Sequence, residues 1–347
     1  MLILYPFILL LVLGTNLFLQ ENQPSLIVSG EKHFANLRQL TFGGQNAEGY
    51  FSFDEKRLIF QSTRDSFQCD QEFIMDLASG DVQLASTGHG RTTCGYFFPG
   101  DKKILFSSTH HLKKECPPPP DYSKGYTWAV YPQFDIFTAN ADGSGLKQIT
   151  TTAGYDAEAT ISPAGDRMVF TSVRNGDLDL YSMNLDGSDV RQLTNELGYD
   201  GGAFYSWDGK KIVYRAWHYK DNAEVAKYKG LLAQSLVRPT RMELFIMDAD
   251  GTNKRQITNN GAANFGPFFH PDNKRIIFAS NLADPKGRDF DLYLINIDGT
   301  GLERITYNDT FDGFPMFTRD GKKLAFASNR NGKVRGETNL FLAEWKE

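Results

Sequence analysis

A stretch of about 40 residues, from Gly154 to Thr194, recurs six times along this chain, and a unit of that size buries its apolar residues only by stacking on its neighbours. Within it, the turn Pro163-Ala164-Gly165-Asp166 separates two runs rich in β-branched and aromatic residues, Ala159–Ser162 and Arg167–Ser172. These read as two paired strands. A third run, Leu178–Asn184, alternates along its length, and Asp186-Gly187 then offers the positive φ that a tight hairpin needs. The fourth strand ends in Gln192-Leu193-Thr194. Four antiparallel strands per copy is the make-up of a propeller blade.

The copies are counted on the aromatic that closes each second strand: Phe60, Phe106, Phe170, Tyr214, Phe278 and Phe326. Fourth-strand endings recur in phase at Gln39-Leu40-Thr41, Gln148-Ile149-Thr150, Gln192-Leu193-Thr194, Gln256-Ile257-Thr258 and Arg304-Ile305-Thr306, with Gln83-Leu84 as a weaker member. The expectation is an all-β, six-bladed β-propeller of four-stranded antiparallel blades, occupying residues 37–347 as one domain. Gln39-Leu40-Thr41 precedes the first hairpin and the sequence given stops after the third strand of the last copy, so the N-terminal strand is expected to complete the last blade. Such closure leaves no free sheet edge.

Ser-Pro-x-Gly-like turns, Asp-Leu-Tyr-x-Met-Asn third strands, x-Asp-Gly-Ser/Thr turns and Gln-Leu-Thr endings together resemble the propeller repeat of the TolB-like, WD40-like family. The resemblance covers residues 37–347 and implies a binding or interaction scaffold without the N-terminal α/β domain of that family's namesake. Periplasmic or secreted placement is the corresponding expectation.

Residues 2–13 form an apolar run of signal-peptide length, read as part of a leader over residues 1–20. The first basic residue is Lys32, so the usual positive n-region is missing, and an uncleaved anchor running on through Leu17-Phe18-Leu19 is the alternative. Membrane contact is expected only through that segment. Net charge is −5 and the basic residues are scattered, which argues against nucleic acid as a partner.

Two blades break the repeat at the same place. Blade 2 carries extra residues after Phe106-Ser107-Ser108, including Cys116 and Pro117 to Pro120, a stiff proline run followed by Tyr122, Tyr126, Trp128 and Tyr131. Blade 4 inserts residues between Tyr214 and Glu243, where Asp221-Asn222 can cap an amphipathic helix bearing Val225, Tyr228, Leu232 and Leu236 on one face. That helix reads as a clip on the neighbouring blade. Both insertions join second to third strands, and strand parity puts them on one face of the ring. Cys69, Cys94 and Cys116 map to that face, giving one disulfide that pins the blade 2 insertion and one free thiol, with the pairing open.

Two repeat positions could carry chemistry. Five residues before the first-strand anchors Phe51, Phe97, Ile161, Tyr205, Phe269 and Phe317 stand Asn46, Thr92, Asp156, Asp200, Asn264 and Asp312, with Glu48 and Glu158 two residues further in. Four residues after each second-strand aromatic stand Arg64, His110, Arg174, His218, Leu282 and Arg330. Two readings follow: contacts that tie the ring together, or a site at the channel mouth for a protein segment or small polar ligand. No nucleophile elbow, P-loop or His-Glu-x-x-His motif occurs, so no catalytic residue, metal or cofactor is assigned. The alternative is a hydrolase or lyase, possibly metal-assisted, with His110 or His218 as base or ligand at the same mouth.

Overall fold

The computed structural model describes residues 25–347 apart from Lys286, so the leader expected over residues 1–20 lies outside the described residues. Six four-stranded antiparallel sheets form the ring, each running outward from an innermost strand. Those innermost strands are Gln45–Phe51, Thr92–Phe97, Asp156–Ile161, Gly198–Tyr205, Asn264–Phe269 and Asp312–Phe317. The second-strand aromatics Phe60, Phe106, Phe170, Tyr214, Phe278 and Phe326 are each at most 1% exposed, because neighbouring blades stack on them.

The last blade is completed from the other end of the chain. Phe34–Gln39 pairs antiparallel with Asn339–Trp345, with Leu37 opposite Ala343 and Gln39 opposite Phe341. Upstream of that strand, Glu31 receives Arg330 Nη2 at 2.9 Å, and the His33 ring stacks on Trp345 at 4.7 Å. The segment before the first strand is thus also fixed to blade 6.

The Gln-Leu-Thr endings have a physical reason. Thr150, Thr194, Thr258 and Thr306 each accept, at 2.8–2.9 Å, the backbone N–H of the third-strand residue beside them, Ile136, Leu180, Leu244 and Leu292. Thr41 does the same for Leu340 across the ring closure. Blade 1 lacks the threonine, and Ser86 Oγ takes its place by accepting from Glu72 N at 3.1 Å.

On one face the two insertions meet. Trp128–Ala129 from blade 2 pairs with Leu236–Val237 from blade 4, a two-stranded roof passing over blade 3. The blade 4 helix spans Asn222–Leu232, and Asp221 caps it by accepting from Ala223 N and Glu224 N. Its contact differs from the expected apolar stripe. Tyr228 alone of its residues is buried, and Leu236 belongs to the roof strand instead. The Tyr228 hydroxyl donates to Asp177 and to Gly198 O, the second at 2.6 Å, so the helix is clipped to the blade 3 to blade 4 junction. Cys69 and Cys116 form the disulfide that ties the proline-rich segment to blade 1. Cys94 is free.

Candidate functional site

Every innermost strand carries a bulge at the same position, where the register with the second strand shifts. Its first residue is left-handed in all six blades: Glu48, Cys94, Glu158, Gly202, Gly266 and Phe314, with φ between 51° and 59°. Glycine adopts this conformation most readily, and four of the six blades nevertheless carry a side chain here. All six residues line one cavity of about 880 Å³ on the inserted face.

The roof supplies the outer wall through Pro119, Tyr122, Tyr126, Trp128 and Tyr131, joined by Arg288 and Phe290 from the blade 5 loop. Arg288 lies 4.9 Å from the centroid of Tyr126 and so links that loop to the roof. The floor is an aromatic layer one step further along the strands. Tyr50 of blade 1 reaches Phe204 of the opposite blade 4 at 5.3 Å between centroids, and Phe204 reaches Phe268 at 5.3 Å. Tyr96 joins Tyr50 at 5.8 Å. Rings from opposite blades in contact close the axis at this level. Below them lies a second, smaller space lined by Tyr205, Trp207 and Met316.

One wall of the cavity holds a buried ion pair. Arg215 donates to Glu158 and, at 2.8 Å, to the Tyr199 hydroxyl. Glu158 also accepts from Thr171 Oγ1 at 2.8 Å and Gly202 N at 3.0 Å. The guanidinium sits against the faces of Trp128 at 5.3 Å and Tyr199 at 5.5 Å. Gly202 is required here, because a Cβ at this position would stand 1.9 Å from Arg215 Nη1. Although burial alone would lower the pKa of Arg215, the Glu158 charge raises it and keeps the group cationic. On the other side of the ring, burial and the neighbouring Glu158 push Glu48 up to about 7. Burial and the nearby Glu48 charge also drive the Cys94 thiol well above its ordinary value, which favours the protonated form.

Of the fourteen residues named at these repeat positions, Glu48 and Glu158 line this cavity. The other twelve lie outside its lining. Asn46, Asp156, Asp200, Asn264 and Asp312 are all at most 1% exposed. Arg174 Nη2 donates to both oxygens of Asp156 at 3.0 Å, and Arg330 Nη2 donates to Asp312 at 2.9 Å. These pairs form within one blade, not between neighbours, because each first-strand residue faces its own second strand. Asn46 and Asn264 instead donate to backbone oxygens of Thr338 and Met242. Arg64 packs over Phe73 at 5.6 Å.

The two histidines stay apart. His110 Nδ1 lies 2.8 Å from Ser108 Oγ and its ring packs on Phe137, and burial lowers its pKa to about 4. His218 is held between Asp200 at 3.0 Å and Glu196 at 3.2 Å. Burial opposes its charged form, yet the Asp200 hydrogen bond and charge raise its pKa overall. Among the described residues, no three His, Cys, Asp or Glu side chains are grouped to hold a metal ion.

Arg215, Tyr199 and Trp128 were not among the sequence candidates. A signal was present. At the position after each second-strand aromatic the repeats read Gln61, Ser107, Thr171, Arg215, Ala279 and Ala327, and the single charge among them is Arg215.

Residues 129–231 match the family described as the TolB beta propeller domain. No curated protein sequence matches the chain. Among solved structures, TolB from Acinetobacter baumannii superposes with a TM-score of 0.57 at 17% identity, over 77% of this chain and 55% of that one. The chain therefore spans little more than half the length of that TolB. A putative TolB from Agrobacterium tumefaciens gives 0.58 at 16% identity, over 88% and 91% of the two chains. An oligogalacturonate lyase in complex with manganese gives 0.52 at 16% identity, over 90% and 93%. Identities this low carry the architecture and leave function to the site. In its matched repeats and its ring of six four-stranded blades, the chain is a TolB-like six-bladed β-propeller.

Proposed function

We propose that this propeller is an exported binding module that captures a small ligand, or the end of a protein segment, in the roofed cavity at its channel mouth. The observation that carries the reading is the cavity itself: about 880 Å³, floored by stacked aromatics and covered by two paired insertions. That volume falls within the range of small-molecule sites, and apolar walls with a few convergent polar groups are their usual make-up. The bulges support it, since they turn Glu48, Cys94, Glu158 and Phe314 toward the same cavity. Export is supported by the apolar run in residues 2–13 and by the Cys69–Cys116 bond, which persists in oxidising compartments. A binding role is favoured over the enzymatic one because the two histidines that would serve chemistry sit in separate blades outside the cavity lining.

A panel of small aromatic and polar compounds, followed by thermal shift, tests the reading. Compounds that raise the Tm of the parent protein are expected to lose that effect in Trp128→Ala, which removes one wall. Equal shifts in parent and variant place binding elsewhere and refute the site.

A further inference from the structure

We propose that the cavity recognises a ligand bearing a protonated amine, with the Glu48 carboxylate as its counter-ion. This rests on the reading of the cavity as a binding site. Internal symmetry supplies the argument. Glu48 and Glu158 occupy the same bulge position in blades 1 and 3, both left-handed and both facing the cavity. For Glu158 the following blade contributes the cation, Arg215. The residue equivalent to Arg215 in the blade following Glu48 is Ser107, whose buried hydroxyl has no hydrogen-bond partner. Glu48 has the Cys94 thiol as its hydrogen-bonding neighbour and, among the described residues, forms no ion pair of its own; the Arg215 charge reaches it only from that residue's place beside Glu158.

The remaining charges do not fill the gap. Asp70 and Arg91, also on the wall, neutralise each other at 2.6 Å, and Arg288 on the outer wall is stacked over Tyr126 in the roof. Arg215 is committed to Glu158 and Tyr199. It also demonstrates what this environment accommodates: a cation held between a carboxylate and aromatic faces. Beside Glu48, the adjoining blade offers Phe314 at its own ring position, and Tyr50 follows two residues along. One carboxylate with ring faces suits an organic ammonium. A divalent ion would need several oxygen donors, and no such group is present among the described residues.

Titration gives an independent readout. The groups that act on Glu48 are Glu158, Arg215, Cys94 and Asp70, and with burial they leave its carboxyl at about 7. An arriving ammonium lowers that value, so capture near pH 7 releases a proton.

The test is calorimetry with 2-phenylethylamine, the neutral 2-phenylethanol and the anionic 3-phenylpropionate, on the parent protein and Glu48→Gln, from pH 8 to pH 5. The amine is expected to bind at least about 10-fold more tightly than the alcohol at pH 8, to lose that advantage as Glu48 protonates toward pH 5, and to lose it at every pH in Glu48→Gln. Proton release, read in buffers of different ionisation enthalpy, is expected for the amine alone. Equal affinity for amine and alcohol in the parent overturns the inference and leaves the cavity reading standing. An amine preference that survives Glu48→Gln also overturns it. Failure of all three compounds to bind the folded parent overturns both. Melting curves confirm that the near-isosteric variant is folded.

Discussion

Arg215 is the residue on which the cavity wall turns, since it joins blade 4 to Glu158 of blade 3 while 7% exposed. Removing one partner of a buried pair strands the other charge. Arg215→Leu is expected to destabilise the fold by about 3–5 kcal/mol in denaturant titrations, and adding Glu158→Gln should recover part of the loss. Glu48 poses the opposite case. Its carboxyl is raised from the ordinary value to about 7, so the folded protein holds this proton more tightly than the unfolded chain, and stability falls as pH rises through that interval. Glu48→Gln should therefore be more stable than the parent at pH 8, by roughly 1–3 kcal/mol, with the difference vanishing near pH 5. Equal melting temperatures at pH 8 would show that Glu48 carries no such cost. Residue by residue, Glu48 and Glu158 were legible from their repeat position, whereas the direction each side chain takes was not. That direction depends on a bulge, and a bulge appears in the register between strands rather than in composition. The Asp, Asn, Arg and His set was visible because it recurs at one strand position, but its partners differ between blades: Asp156, Asp200 and Asp312 meet Arg or His side chains, whereas Asn46 and Asn264 meet backbone oxygens.

The insertions behave as one element. Their strands pair, Tyr228 clips the helix to Asp177 and Gly198 O, and a disulfide anchors the blade 2 half near Cys69. Cross-linking residues 47 apart restricts the unfolded chain, a contribution of roughly 2–4 kcal/mol. Cys69→Ser combined with Cys116→Ser is expected to lower stability by that amount and to open the proline-rich segment to proteolysis before the blades, as mass spectrometry of limited digests would reveal. Simultaneous cleavage throughout the chain would contradict a separately anchored roof. The sequence supplied the site of both insertions and the helix cap at Asp221. It could not supply the pairing of Trp128–Ala129 with Leu236–Val237, because a two-residue ladder between distant segments leaves no periodic trace.

At the scale of the whole molecule, the six-fold pattern was legible because every blade repeats the same four-strand order and a hydroxyl clasp, threonine in five blades and Ser86 in blade 1. Ring closure was legible too, since one Gln-Leu-Thr ending stood ahead of the first hairpin. Deleting residues 34–39 would leave Asn339–Trp345 with an unpaired edge and blade 6 with three strands. Loss of cooperative unfolding, with self-association in sedimentation, is the expected result, and an unchanged melting curve would refute the role given to that strand. The aromatic layer, in which Tyr50 touches Phe204 from across the ring, has a kinetic meaning. A cavity floored in this way is entered from the side of the insertions, so arrival and departure pass the same roof. By microscopic reversibility, a substitution that only loosens the roof should accelerate both rate constants by the same factor and leave Kd where it was. Such a substitution has to be sought at the Tyr228 clip, outside the cavity lining, since Trp128 and Tyr126 are roof and wall at once.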